Sequence, residues 1–260
     1  MRDLSAQLSP EQQELKAEFT RKRGYWAPFW DGLLIMAPDF LDAFLELASV
    51  PWTTGTLEPK VKEFIYIAID ASTTHMYEPG LRIHIRNALK HGATKEEIVE
   101  VYQLTSALGM HTFMMGLPAL TDEFRKAGRG AEVEVALDDD QAALKAAFIE
   151  KRGYWSPLWE DMVALTPDFF KTYLRFSSVP WMQGVLPPKV KELIYIAIDA
   201  ATTHLYEPGL RIHIRNAMEQ GATKEEIIEV YQLVSVLGIH TCTLGIPVLV
   251  EELDKAGQPL

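Results

Sequence analysis

Seven histidines in a chain of 260 residues are few enough to weigh one by one. Six form three pairs related by repetition, His75 with His204, His84 with His213 and His111 with His240, within the segments Lys62–Pro118 and Lys191–Pro247. The seventh, His91, stands where the second copy has Gln220, and is read as solvated surface. Glu63 and its twin Glu192 lie on strongly apolar helices, where a buried carboxylate either gains a partner or keeps its proton. Two antiparallel helices joined by a short turn would bring Glu63 to His84 and Glu192 to His213. That pairing suits proton transfer near neutral pH. The structural alternatives are an ion pair of Glu63 with Arg82 or Arg86 and a hydrogen-bonded core histidine.

His75 and His204 are expected at helix ends, as site residues or as cations favoured by the helix dipole. His111 and His240 are expected to line a site, with Gly109 permitting a close helix contact near His111. Tyr77 and Arg82, with Tyr206 and Arg211, are candidates for an anionic substrate, because the arginine fork matches a carboxylate. A surface salt bridge is the competing role. Trp52 and Trp181 each follow a proline and are expected to line a pocket, whereas the other tryptophans anchor core or interface. Glu63, His75 and His84 could offer three metal ligands, but no close-spaced His pair stands on one helix face. No metal and no cofactor are expected.

The elements that position these residues come twice. Lys22-Arg23-Gly24-Tyr25-Trp26 returns as Lys151-Arg152-Gly153-Tyr154-Trp155, and Lys60–Leu104 returns, mostly identical, as Lys189–Leu233. Two copies of this length read as two domains, 1–128 and 140–260, joined by a linker over 129–139. Ser9-Pro10, Ala27-Pro28, Ala37-Pro38, Glu58-Pro59 and Glu78-Pro79 are helix starts, with proline in the first turn. Thr94 with Glu97 forms a capping box ahead of one long helix through Met110. No alternating strand pattern appears. The fold class is all-α, as two tandem helical bundles.

Composition narrows the partners. The formal charge is −11 and basic clusters are short, so no nucleic acid is expected. The polar start of the chain lacks a signal-peptide core, and no apolar run of membrane-spanning length is evident, so no membrane partner and a cytoplasmic location are expected. The single cysteine, Cys242, cannot form an internal disulfide.

The order Lys-Glu, an apolar helix, Glu-Pro-Gly-Leu-Arg-Ile-His-Ile-Arg-Asn-Ala-Leu and Gly-Ala-Thr-x-Glu-Glu-Ile resembles the carboxymuconolactone decarboxylase-like superfamily, which includes the AhpD-like alkylhydroperoxidases. The match covers Pro59–Pro118 and Pro188–Pro247. The hydroperoxidase branch carries a Cys-x-x-Cys pair that here falls on Tyr77 and Gly80, and on Tyr206 and Gly209. Neither half can therefore run a dithiol relay. The resemblance implies the branch acting on lactone acids of aromatic degradation, with Glu63, His84, Glu192 and His213 as catalytic candidates. It also implies a homo-oligomer, a trimer in which fused pairs give a pseudo-hexameric arrangement. Two functions stay open: a lyase acting on a small carboxylated lactone or keto acid by Glu/His proton transfer, and a non-catalytic ligand-binding or assembly protein of the same fold.

Overall fold

The computed structural model describes residues 4–258, and no strand occurs among them. Helix α1 (Pro10–Arg23) starts where Ser9 and Gln12 cap each other and stops on Gly24, whose φ of 77° is left-handed. Helices α2 (Trp30–Met36) and α3 (Pro38–Thr53) follow. Then come α4 (Pro59–Ala71) and α5 (Glu78–Lys90), where proline opens each helix as the sequence implies. Helix α6 (Lys95–Ser106) begins on the Thr94–Glu97 capping box. The expected continuation to Met110 is corrected: a 3-10 turn at Ala107–Met110 interrupts it, and α7 (His111–Lys126) starts afresh. Gly109 lies in that turn, where its poor helix propensity weakens the ladder.

The second copy repeats the pattern. Helix α8 (Asp139–Arg152) is capped by Asp138 and stops on left-handed Gly153. It is followed by α9 (Glu160–Leu165), α10 (Pro167–Met182), α11 (Pro188–Ala200) and α12 (Glu207–Glu219). Helices α13 (Lys224–Ser235) and α14 (His240–Lys255) end the chain around a second 3-10 turn at Val236–Ile239.

Compactness does not follow the sequence repeats. One unit combines the chain up to Lys62 with the chain from Thr223, and the other is the continuous run Glu63–Ala222. In the first, α13 packs on α3 and α14 on α2. Its apolar centre joins Phe19, Trp30, Leu34 and Leu41 to Ile239 of the second copy. In the second, α6 packs on α10 and α11, and α7 packs on α9. Met110, Met114 and Leu117 of the first copy complete a core built on Phe148, Trp159 and Phe170 of the second. In both units, the last helices of one repeat thus close the core begun by the other.

A buried ion pair pins each exchange. Within the second unit, Lys191 Nζ lies 2.8 Å from Glu100 Oε1 and donates to the Pro180 carbonyl at 2.5 Å. Glu100 Oε2 accepts the backbone N–H groups of Val185 and Leu186 at 2.6 and 2.8 Å. A Cβ on Gly184 would stand 2.0 Å from Glu100 Oε1, so only glycine admits the carboxylate there. The first unit has the same arrangement with Lys62, Glu229 and Gly55.

One sequence expectation changes here. Helices α13 and α14 join into a stretch, Lys224–Lys255, that is long and apolar enough by composition to cross a membrane. Part of its apolar surface is used against α3 and α2 in the first unit.

Candidate active site

Glu192 sits on the first turns of α11, and His213 in the middle of α12. The two helices pack as a hairpin, and Glu192 Oε2 lies 2.6 Å from His213 Nδ1. Glu192 is 2% exposed and His213 8%. The other carboxylate oxygen accepts from the Asn216 amide at 3.2 Å. With a carboxylate as its partner, Nδ1 carries the proton, which leaves Nε2 as the nitrogen available to a reactant. The Tyr195 ring stacks on the imidazole at 4.4 Å and 22°, fixing its plane. The first copy is equivalent: Glu63 Oε2 lies 2.6 Å from His84 Nδ1, and Tyr66 stacks on His84 at 4.4 Å.

His213 lines a small cavity of about 30 Å³ in the second unit, shared with Arg152, Tyr173, Tyr195, Asp199 and His111. Arg152 is 8% exposed and makes no ion pair among the described residues; its Nε has no hydrogen-bond partner. Its guanidinium lies 4.9 Å from the Trp181 ring. A buried cation without a counter-ion is costly, and an anion entering the cavity would neutralise it. Burial pushes the Tyr195 hydroxyl up to about 12 and raises Tyr173 as well, so both phenols remain donors. Burial also raises Asp199 to about 7, with the Glu192 charge adding and His213 opposing.

The expected residues divide into three groups. The Glu–His pairs are brought together, and His111 of the first copy reaches the cavity of the second. His204 and Tyr206 gather around His111: the two imidazoles approach to 2.6 Å, and the Tyr206 ring stacks on His111 at 3.9 Å. His75 lies beside Asp70 at 3.8 Å rather than joining Glu63, and Tyr77 is buried near it. Trp181 stands behind the cavity, parallel to Tyr195 at 6.4 Å, and Trp52 covers Arg23 and Lys62 in the first unit. His240 opens α14, half-buried. Arg82 and Arg211 are not brought to a cavity. Each pairs one turn back along its own exposed helix face, with Glu78 and Glu207.

Arg152, Tyr173, Tyr195, Asp199 and Asn216 were not among the sequence candidates. For Arg152 a signal existed: it is a cation set among aromatics, repeated as Arg23 in the first copy. Asp199 explains the missing cysteines in space. A Cβ on Gly209 would stand 2.3 Å from Asp199 Oδ2, and one on Gly80 would stand equally close to Asp70 Oδ2. The carboxylate thus fills the place where a second thiol would project.

None of the curated proteins matches the chain. Among solved structures it is similar to a candidate gamma-carboxymuconolactone decarboxylase subunit from Burkholderia xenovorans LB400. The two share 45% identity over 96% of this chain and 100% of that one, with a TM-score of 0.91. The carboxymuconolactone decarboxylase family matches residues 38–122 and 167–238. With that match laid over both copies of the α4–α5 and α11–α12 hairpins, the chain belongs to the carboxymuconolactone decarboxylase family.

Proposed function

We propose that this protein is a decarboxylase acting on a small carboxylated lactone or keto acid, a class of acid formed in aromatic degradation, by Glu/His proton transfer and without thiol chemistry. One observation carries the reading: His213, held by Glu192, lines a cavity that also holds Arg152, a buried guanidinium with no ion-pair partner among the described residues. In the reaction the bond to the carboxylate carbon breaks and CO2 leaves. The electron pair stays on the ring carbon and spreads onto the lactone carbonyl oxygen. Arg152 and the Tyr195 hydroxyl stabilise that charge in a site shielded from water. His213 Nε2 delivers a proton to the carbon, and solvent restores it. Glu192 holds the imidazole orientation and balances its charge. Glu63 and His84 do the same in the first copy. The neighbour from Burkholderia xenovorans, described as a subunit, supports an oligomer, and the fused repeats suit a homotrimer with six-domain pseudo-symmetry.

The test is a screen of carboxylated lactones and keto acids for CO2 release. For a substrate so found, the doubly substituted His84→Gln/His213→Gln protein is expected to fold and to lose turnover. Arg152→Lys is expected chiefly to raise KM, by about tenfold or more, because a point charge replaces a planar fork. Full turnover in the folded double variant would leave the histidines as core residues and remove the proposal.

A further inference from the structure

We propose that His111, His204 and Asp199 form a binding site for one divalent transition-metal ion of the zinc type. His111 is the first residue of α7, Asp199 lies at the end of α11, and His204 lies in the turn between α11 and α12. His111 Nδ1 stands 2.6 Å from His204 Nε2 and 3.8 Å from Asp199 Oδ1. The three ligand atoms all fall within 4.8 Å of one another. Zinc holds imidazole nitrogen and carboxylate oxygen at about 2.0–2.2 Å, which sets tetrahedral ligands ~3.3 Å apart. Small side-chain rotations that part the nitrogens and draw in the carboxylate would therefore enclose an ion.

A second observation points the same way. Asp199 is 1% exposed, and its Oδ2 has no hydrogen-bond partner among the described residues. A carboxyl group withdrawn from water with one oxygen unpartnered gains from a cation brought beside it. The turn that presents His204 is set by Leu205, whose φ of 51° is left-handed for a side-chain-bearing residue. It is closed by the Tyr206 N–H donating to the Asp199 carbonyl at 2.9 Å. Such backbone strain persists where the surroundings over-determine it, often at ligand sites.

Two imidazoles and one carboxylate select zinc-like ions over magnesium or calcium. A fourth position would remain for water or a substrate oxygen, on the side where His111 lines the cavity with His213. The ligands come from both sequence repeats, which is why no close-spaced motif announces them. The site stands whether or not the Glu–His pair is catalytic.

The test is calorimetric titration of zinc chloride into the full chain after chelator treatment, with magnesium chloride as the control. The zinc stoichiometry is expected to fall by one equivalent in His111→Gln and in His204→Gln. His91→Gln, on the surface, should match the parent, and magnesium should give no binding. Should His111→Gln fail to fold, His204→Gln in its half-exposed turn gives the same reading. Unchanged stoichiometry in either folded variant, or no zinc binding by the parent, overturns the proposal.

Discussion

Each histidine of the two Glu–His pairs is held between a carboxylate at its edge and a tyrosine on its face. That grip is what a proton carrier needs: one nitrogen committed and the ring plane fixed. Tyr195 does the stacking in the second copy, and its own ionisation can be tested. Burial raises its hydroxyl from 10.0 to about 12, opposed by Arg152. Between those values the folded protein keeps a proton that the unfolded chain releases. The stability held by the neutral phenol is thus complete below the unfolded value and is lost as pH rises through the folded one. The unfolding free energy is expected to fall between about pH 10 and about pH 12, and to fall less in Tyr195→Phe. Equal losses in the two proteins, measured by denaturant titration, would show that the phenol ionises as freely when folded.

Among the elements, the α3–α4 and α10–α11 junctions hold the structure at buried charges. Glu100 serves one lysine and two backbone N–H groups, so its carboxylate is fully committed. Breaking a buried pair from one side costs about 3–5 kcal/mol, because the surviving charge is stranded. Glu100→Gln is expected to lose stability in that range. Adding Lys191→Met should recover part of the loss, since the stranded ammonium is then gone. A Glu100→Gln protein as stable as the parent in urea titration would show that water reaches Lys191.

For the molecule as a whole, the exchange of helices between repeats has a consequence for dissection. Residues 140–260 alone lack the Met110, Met114 and Leu117 side chains that complete the core around Phe148 and Trp159. That half is expected not to be a folded monomer when expressed alone; a monomer with cooperative thermal unfolding would contradict this. Phe40 and Leu47 on α3, and their counterparts Phe169 and Phe176 on α10, are large, apolar and exposed. Such side chains at matched positions suit a repeated subunit contact. Light scattering of the full chain is expected to give the mass of a trimer, and a single monomer mass across micromolar concentrations would exclude it.

What could be read in the sequence was local. The proline starts and the Thr94 and Thr223 caps depend on neighbours a few residues apart, and they lie where the helices begin, except Pro28, which stands two residues before α2. The Glu63–His84 and Glu192–His213 pairs were legible for the same reason, since a hairpin of two adjacent helices leaves little choice of partner. The exchange was not legible. Helices α6 and α13 are nearly the same sequence, so either could cover α10 and α11 with similar apolar contact, and periodicity cannot decide between equal faces. His111 beside His204 and Asp199 follows from that choice of pairing. Local chemistry thus set the parts and the proton-carrying pair, whereas tertiary packing decided which repeat's side chains share a cavity.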